Sequence, residues 1–167
     1  MTPFIVRRAG QDDLAAIGRL GALLLRQHHT FDTDRFMAPG PDPESGYAWF
    51  LGTQLSEPDV LLLVAERDEA VIGYLYAAVE PRSWKELRDE AGFVHDVVVD
   101  ERARGQGVAS ALMEAAASWC GARGLPRVVL WSAARNETAH RLFARLGFRR
   151  TMIEMTCELP KSNRGRE

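Results

Sequence analysis

Residues 96–112 have the sequence DVVVDERARGQGVASAL, which combines a β-branched run, a short charged turn, two glycines and an alanine-rich segment. The β-branched run predicts a strand, and the alanine-rich segment predicts a helix. A turn that opens a helix gathers free backbone NH groups at the positive end of the helix dipole. These residues therefore predict a strand–turn–helix unit with an anion-binding site at the start of the helix.

The spacing of the glycines limits which phosphate-binding motif the turn can be. Arg102, Gly105 and Gly107 form an Arg-x-x-Gly-x-Gly pattern, in which the backbone can approach a diphosphate without an intervening Cβ. The phosphate loop of nucleotide hydrolases is excluded because no Gly-Lys-Ser/Thr follows. The dinucleotide fingerprint is excluded because Ser110 stands at its third glycine position. Two glycines alone are a weak indication of a ligand site.

The rest of the chain alternates strand and helix patterns around this unit. A charged link at 67–69 joins two apolar runs as an antiparallel hairpin, whereas the helix after the glycines connects two strands that must be parallel. The predicted fold class is therefore α/β (α+β), with a mixed, mostly antiparallel central sheet and flanking helices. Residues 1–160 are predicted to form one domain, and residues 161–167 a polar tail. The predicted strands are 4–9, 60–66, 70–79, 93–99, 127–131 and a last strand or strand pair at 149–159; the predicted helices are 14 to about 27, 44–55, 108–123 and 136–147.

Composition excludes several classes of function. The chain has 167 residues, 46% of them hydrophobic and 26% charged, with a formal net charge of −2. That charge argues against nucleic acid as a partner, and no apolar run is long enough for a membrane span. The first residues carry no secretory signal pattern, so we expect a cytoplasmic protein. Cys120 and Cys157 fit neither a disulfide framework nor a metal site, and both are expected to pack as thiols.

A second pattern follows the glycine turn. Residues 136–148 have the sequence NETAHRLFARLGF, in which Asn136 begins a helix that ends in Gly-Phe. In order and spacing, the two patterns together resemble the GNAT superfamily of N-acetyltransferases. The resemblance is sharp over residues 93–148, looser over the first strand, the first helix and the hairpin, and does not specify residues 27–58.

This resemblance implies acetyl-CoA as co-substrate and a central strand that is bulged and splayed from its neighbour. The pantetheine arm would hydrogen-bond to the backbone of Val97 and Val99, and the pyrophosphate would lie on NH groups between Arg104 and Ala109. A backbone NH at the bulge, placed at Val97 or Val98, would stabilise the oxyanion. The implied cofactor-binding residues are Val97, Val98, Val99, Arg102, Arg104, Gly105, Gln106, Gly107, Val108, Ala109, Asn136 and Phe143.

The implied reaction is direct attack of a primary amine on the thioester in a ternary complex, which requires a base. His95 and Asp96 are the candidates. A regular strand would place them on opposite faces, with His95 on the face of Phe93 and Val97, so that at most one of them faces the substrate. For each, a structural role is the alternative: His95 as a residue that lines the cleft, and Asp96 as a cap or a core partner.

Phe143 departs from the family pattern, because many members have a tyrosine there that protonates the departing thiolate. A phenylalanine has no proton to give. The thiolate then leaves unassisted or through water, or Ser132 or Tyr74 substitutes. The alternative function is an acyl-CoA-binding sensor or interaction module with little turnover.

The acceptor of the acetyl group is a small-molecule or protein amine of open identity. The loop that borders the acceptor site in this family suggests His29, Phe31, Asp32 and Asp34 as substrate contacts, and Tyr74 is added to them. A metal site at this loop is not expected, because adjacent histidines in a proline-rich loop rarely converge on one ion. Dimers are frequent in the family, so a homodimer is an expectation.

Overall fold

The structure is a computed structural model that describes residues 3–159. The predicted polar tail at 161–167 lies outside this range. Short 3₁₀ turns precede the first helix and follow the fourth strand. The elements in chain order are β1 Ile5–Arg8, α1 Leu14–Phe31, α2 Pro43–Gln54, β2 Val60–Arg67, β3 Ala70–Glu80, β4 Ala91–Val99, α3 Val108–Ala122, β5 Val128–Leu130 and α4 Glu137–Arg145.

The strands form one sheet in the order β1-β2-β3-β4-β5. Neighbours are antiparallel from β1 to β4, and β5 joins β4 in parallel. The crossover through α3 makes this parallel pair possible, because a parallel neighbour cannot follow from a tight turn. The predicted mixed, mostly antiparallel sheet with flanking helices is confirmed.

Each face of the sheet buries its own apolar cluster. On one face, α3 and α4 contribute Leu112 and Phe143, packed against Leu75. On the other face, α1 and α2 contribute Ile17 and Leu51. The α1/α2 face matters most for function, because the same helices also enclose the space in front of the middle of β4.

The two helices on that face pack closely because α1 carries glycines where α2 crosses it. A Cβ at Gly21 would overlap the ring of Tyr47. The missing side chain lets α2 bring Tyr47 in over β4. An aromatic residue of α2 thereby reaches the site described below.

Three predicted elements differ from the structure. α1 continues to Phe31 instead of fading near residue 27, since the Nδ1 of His28 hydrogen-bonds to the Leu24 carbonyl oxygen within the helix. β5 has three residues rather than five. The predicted last strand at 149–159 is wrong: the segment forms no strand and pairs with none of the five described strands, although the outer edge of β5 is open.

Other features of residues 3–159 bear on the sequence predictions. No helix in this range combines the length and apolar character needed to cross a bilayer. Within the same range, His, Cys, Asp and Glu side chains form no group of three that could hold a metal ion. Cys120 is buried as predicted, whereas Cys157 is exposed because its segment is unpaired.

Candidate active site

The middle of β4 carries a β-bulge. Tyr76 pairs with Asp96 and the next residue of β3, Ala77, pairs with Val94, so His95 is the extra residue. A bulge of this kind turns two consecutive side chains toward one face of the sheet. The prediction that His95 and Asp96 point to opposite faces is therefore wrong, as is the placement of the bulge at Val97 or Val98.

A cleft opens beside β4 just beyond the bulge. β5 pairs with β4 only over Gly92–Val94, so the β4 edge from His95 onward has no neighbour in the sheet. The gap between the two strands forms a cavity of about 240 Å³, which we call the strand cleft. It is lined by Leu24, Leu25, His28, Phe36, Tyr47, Val94, His95, Asp96, Val97, Leu130, Trp131, Ser132, Asn136, Ala139 and Phe143.

A second, larger cavity lies between α2 and the sheet. Its volume is about 500 Å³, and we call it the helix-side cavity. It is open to solvent at Met37 and Phe50, which are both exposed. Its lining residues are Leu25, Met37, Ala38, Gly40, Pro43, Gly46, Tyr47, Phe50, Tyr76, His95 and Asp96.

The two cavities meet at the bulge. His95 and Asp96 line both of them, together with Leu25 and Tyr47. A group held in the strand cleft and a group held in the helix-side cavity would face each other across these two side chains. Such an arrangement suits the transfer of a group between two ligands that are bound at the same time.

Asp96 is the acidic group at this meeting point. The Tyr74 hydroxyl donates a hydrogen bond of 3.0 Å to its Oδ2. Burial raises the pKa of Asp96 to about 6, while that hydrogen bond and the nearby His28 act in the opposite direction. Asp96 is therefore mostly ionised at neutral pH but close enough to its pKa to exchange a proton.

His95 is held by two rings and a carboxylate. Its ring stacks on Tyr76 and on Phe93, with centroids 4.8 Å apart in both pairs. The Nε2 atom lies 3.2 Å from Oε1 of Glu80. Burial lowers the pKa of His95, and Glu80 opposes this shift. A neutral imidazole that donates Nε2–H to Glu80 leaves Nδ1 as the nitrogen able to accept a proton.

The glycine turn has the geometry that the sequence predicted. Gly105 and Gly107 have φ angles of 74° and 84°, and a Cβ at either position would meet no atom within 4 Å. Gly107 is the N-cap of α3 and supplies no side-chain hydrogen bond, so the first NH groups of the helix remain open to a ligand. The exposed side chains of Arg102 and Arg104 flank the turn. Backbone donors and the two arginines thus lie beside open space at the start of α3.

The second sequence pattern also contributes to the strand cleft. Asn136 caps α4 by accepting a hydrogen bond from the Ala139 NH, and it lines the cleft at the same time. Phe143 is buried in the wall of the cleft. Of the predicted cofactor-binding valines, Val97 lines the cleft, Val98 is buried against the α1/α2 cluster and Val99 packs on the α3 side.

None of the five predicted substrate contacts lines either cavity. His29 and Phe31 lie at the end of α1, and Asp32 accepts hydrogen bonds from the NH groups of Asp34 and Arg35. These side chains lie at the end of α1 and in the turn that follows it, because α1 extends further than the sequence predicted. Tyr74 is fully buried, with 0% exposure, and reaches the site only through Asp96.

Sequence reasoning missed the aromatic residues that shape the site. Tyr47 and Phe50 of α2 and Tyr76 of β3 line the helix-side cavity, and Trp131 lines the strand cleft. The sequence predicts the helix at 44–55 but not the surface against which its aromatic residues pack. The alternation along β3 places Tyr74 and Tyr76 on one face, which was the available indication for Tyr76.

A model of a known protein family matches most of the chain. The model of the acetyltransferase (GNAT) family matches residues 24–148. The chain belongs to the GNAT family. That match extends well beyond the residues 93–148 on which the sequence resemblance was sharp.

Solved structures of similar fold cover nearly all of this GNAT chain. A mutant of a Bacillus halodurans protein is 22% identical, with a TM-score of 0.77, and the match covers 93% of this chain and 99% of that one. A predicted acetyltransferase from Clostridium acetobutylicum, solved with acetyl-CoA, is 14% identical, with a TM-score of 0.71, and the match covers 92% and 96%. At these identities the likeness establishes the fold.

A curated relative is closer in sequence but much longer. The mycothiol acetyltransferase of Thermomonospora curvata is 34% identical over 99 residues, a match that covers 59% of this GNAT chain and 31% of the relative. The chain thus spans about a third of the curated protein that it matches.

Proposed function

We propose that this GNAT chain transfers an acetyl group from acetyl-CoA to a primary amine by direct attack in a ternary complex. The observation that carries the proposal is the meeting of two cavities at His95 and Asp96. Acetyl-CoA would supply the activated acetyl thioester. A cytoplasmic location and a small-molecule or protein amine as acceptor are parts of the same proposal.

The glycine turn and the strand cleft are the proposed site for acetyl-CoA. The NH groups from Arg104 to Ala109 would bind the pyrophosphate at the start of α3. The open β4 edge at Val97 and Val99 would hydrogen-bond to the pantetheine arm, with Asn136 on the other side of the cleft. A backbone NH in this open part of β4 is the proposed oxyanion donor.

His95 and Asp96 have complementary proposed roles. The Asp96 carboxylate attracts the ammonium form of the acceptor into the site. His95 accepts the proton that the amine must lose, since its lowered pKa keeps the imidazole neutral at neutral pH. Glu80 acts as a positioning residue, because its carboxylate holds Nε2 and so orients the ring.

One observation favours the sensor or interaction module as the second candidate. The wall of the strand cleft has the phenyl ring of Phe143 where many family members have a phenol. Tyr74 does not replace it, because its hydroxyl is committed to Asp96. Ser132 lines the cleft and is the remaining proposed proton donor, with water as the alternative.

Release of free thiol separates the two functions. The purified chain is incubated with acetyl-CoA and a panel of primary amines, and both thiol and N-acetylated product are quantified. The enzyme predicts an amine-dependent increase in thiol that equals the product formed. Stabilisation of the protein by acetyl-CoA without any amine-dependent thiol would instead favour the module.

A homodimer is the proposed assembly. Its support is the segment 149–159, in which Ile153, Met155 and Leu159 alternate with polar residues yet are exposed in the single chain. Such alternation is typical of a strand with one buried face. The outer edge of β5 has no strand beside it among the described residues. We infer that this segment of a second copy pairs with the β5 edge.

A further inference from the structure

The walls of the helix-side cavity are apolar. Tyr47 and Phe50 of α2 face Tyr76 of β3, and Leu25 and Met37 complete the lining between them. The Tyr76 hydroxyl is turned to Gln54, to which it donates a hydrogen bond of 3.3 Å. The ring of Phe50 packs edge-on against Tyr76, with centroids 5.9 Å apart. A ligand body in this cavity would therefore contact mainly carbon; besides Tyr76, the polar side chains of the lining are Tyr47, His95 and Asp96.

The charge in the cavity is confined to its inner end. Asp96 is the lone carboxylate among the lining residues, and no lysine or arginine lines the cavity. One ammonium group at Asp96 would be neutralised. A second ammonium, a carboxylate or a set of sugar hydroxyls further along the ligand would have no charged side chain beside it and would lose water against the aromatic walls unless it reached the open end at Met37 and Phe50, which is unfavourable.

We propose that the acceptor is a primary monoamine on an apolar body, aliphatic or aromatic, with its nitrogen at Asp96 and its body between Phe50 and Tyr76. This inference rests on the proposed acetyl transfer and specifies its acceptor. The ammonium at Asp96 first gives one proton to His95. The nitrogen of the neutral amine then bonds to the acetyl carbon, the carbon–sulfur bond breaks with its electrons on sulfur, and the second nitrogen proton passes to the thiolate, directly or through water. Polyamines, amino sugars and amino acids are then poor acceptors.

A matched pair of amines tests this specificity. Heptylamine and hexamethylenediamine have the same chain length, and their reacting amino groups are similarly basic; the distal group is a methyl in one and an ammonium in the other. Since each buried methylene contributes about 0.8 kcal/mol, or about fourfold, we expect kcat/KM to rise from butylamine to heptylamine. The diamine should fall at least about tenfold below heptylamine. Equal rates for the pair, or a flat series, would overturn the inference.

A pair of variants on α2 tests where the apolar body lies. Phe50 lines the cavity and is 41% exposed, whereas the adjacent Trp49 is 74% exposed and does not line it. Phe50→Asp should raise the KM for heptylamine about tenfold or more with a smaller effect on kcat. Trp49→Asp adds the same charge outside the cavity and should leave kcat/KM within about twofold. Equal effects of the two variants would contradict the placement.

Two further measurements keep the test decisive. Phe50→Ser removes the ring without adding charge and should also raise the KM for heptylamine. Stabilisation by acetyl-CoA, measured as the shift in Tm, should be the same in all three variants, since none touches the glycine turn.

The outcomes separate this inference from the proposed function. Acetylation of hexamethylenediamine or glucosamine in preference to heptylamine would overturn the apolar acceptor and leave acetyl transfer standing. Absence of acetylation with every amine in the panel would overturn both.

Discussion

His95, the proposed base, lies between the rings of Tyr76 and Phe93 and beside Glu80. Replacing it with glutamine keeps a polar side chain but removes the base. We expect His95→Gln to lower kcat about 10²- to 10⁴-fold, the usual range for loss of a general base. The affinity for CoA should change little, because the imidazole does not belong to the glycine turn. Steady-state kinetics and titration calorimetry measure the two quantities.

Glu80→Gln is the companion variant. It retains His95 but weakens the contact that orients the ring, so kcat should fall less than in His95→Gln. Because Glu80 raises the pKa of His95, its loss should also shift the acid limb of the pH–activity profile to lower pH. An unchanged kcat and pH profile in His95→Gln would remove the imidazole from the mechanism.

Ionisation of the buried Asp96 carboxyl lowers the free energy of unfolding. Its pKa rises from the ordinary 3.8 to about 6, so the folded chain binds more protons than the unfolded chain between these values. The free energy of unfolding therefore decreases as pH rises through about 6. At higher pH the ionised carboxylate destabilises the fold by up to about 3 kcal/mol.

Asp96→Asn should consequently raise the Tm above that of the native chain at about pH 8 and show no such gain at about pH 4. The asparagine still accepts the hydrogen bond from Tyr74. Activity should fall, because the acceptor loses its counter-charge. Thermal unfolding across pH measures the first effect, and a lower Tm for Asp96→Asn at about pH 8 would contradict the account.

At the scale of single elements, the turn between β4 and α3 is the best-determined part of the site. Gly107 needs a positive φ and leaves open space where a ligand would lie. Gly107→Val should strain the turn and place a side chain in that space, so stabilisation by CoA should be lost.

Gly124 provides the matched control. It has a φ of 72°, open space around its Cα, and a position past the other end of α3. Gly124→Val should cost similar backbone stability but keep the Tm shift produced by CoA. Loss of that shift in both variants, or in neither, would contradict the assignment of the turn.

The elements also explain how far the sequence could predict the site. The glycine turn and the Asn136 cap are local features, fixed by residues a few positions apart, and both were predicted. The bulge at His95 is a relation between β3 and β4, and neither strand alone encodes it. The helix-side cavity depends on α2 packing against β3, so Phe50 and Tyr76 could not be paired from periodicity.

At the scale of the whole molecule, the segment 149–159 carries apolar side chains that a single chain leaves exposed. Met155 is 89% exposed in the single chain, and the proposed homodimer would cover it. Met155→Lys should dissociate the dimer, because the new charge would lie on the face of the segment that becomes buried when it pairs with β5 of the second copy. Thr156→Lys places the same charge on the opposite face and should leave the dimer intact. Sedimentation equilibrium distinguishes these results, and a native chain that stays monomeric would contradict the proposed assembly.

The whole molecule has one organising feature, which is the bulged strand at which two cavities meet. β5 separates from β4 on one side of the bulge, and the helix-side cavity opens between α2 and the sheet on the other. A crystal structure of the chain with CoA tests this account most directly. It should place the pyrophosphate on the NH groups at residues 104–109 and the CoA sulfur in the strand cleft, facing His95 and Asp96. CoA bound elsewhere, or a sulfur atom remote from both side chains, would contradict it.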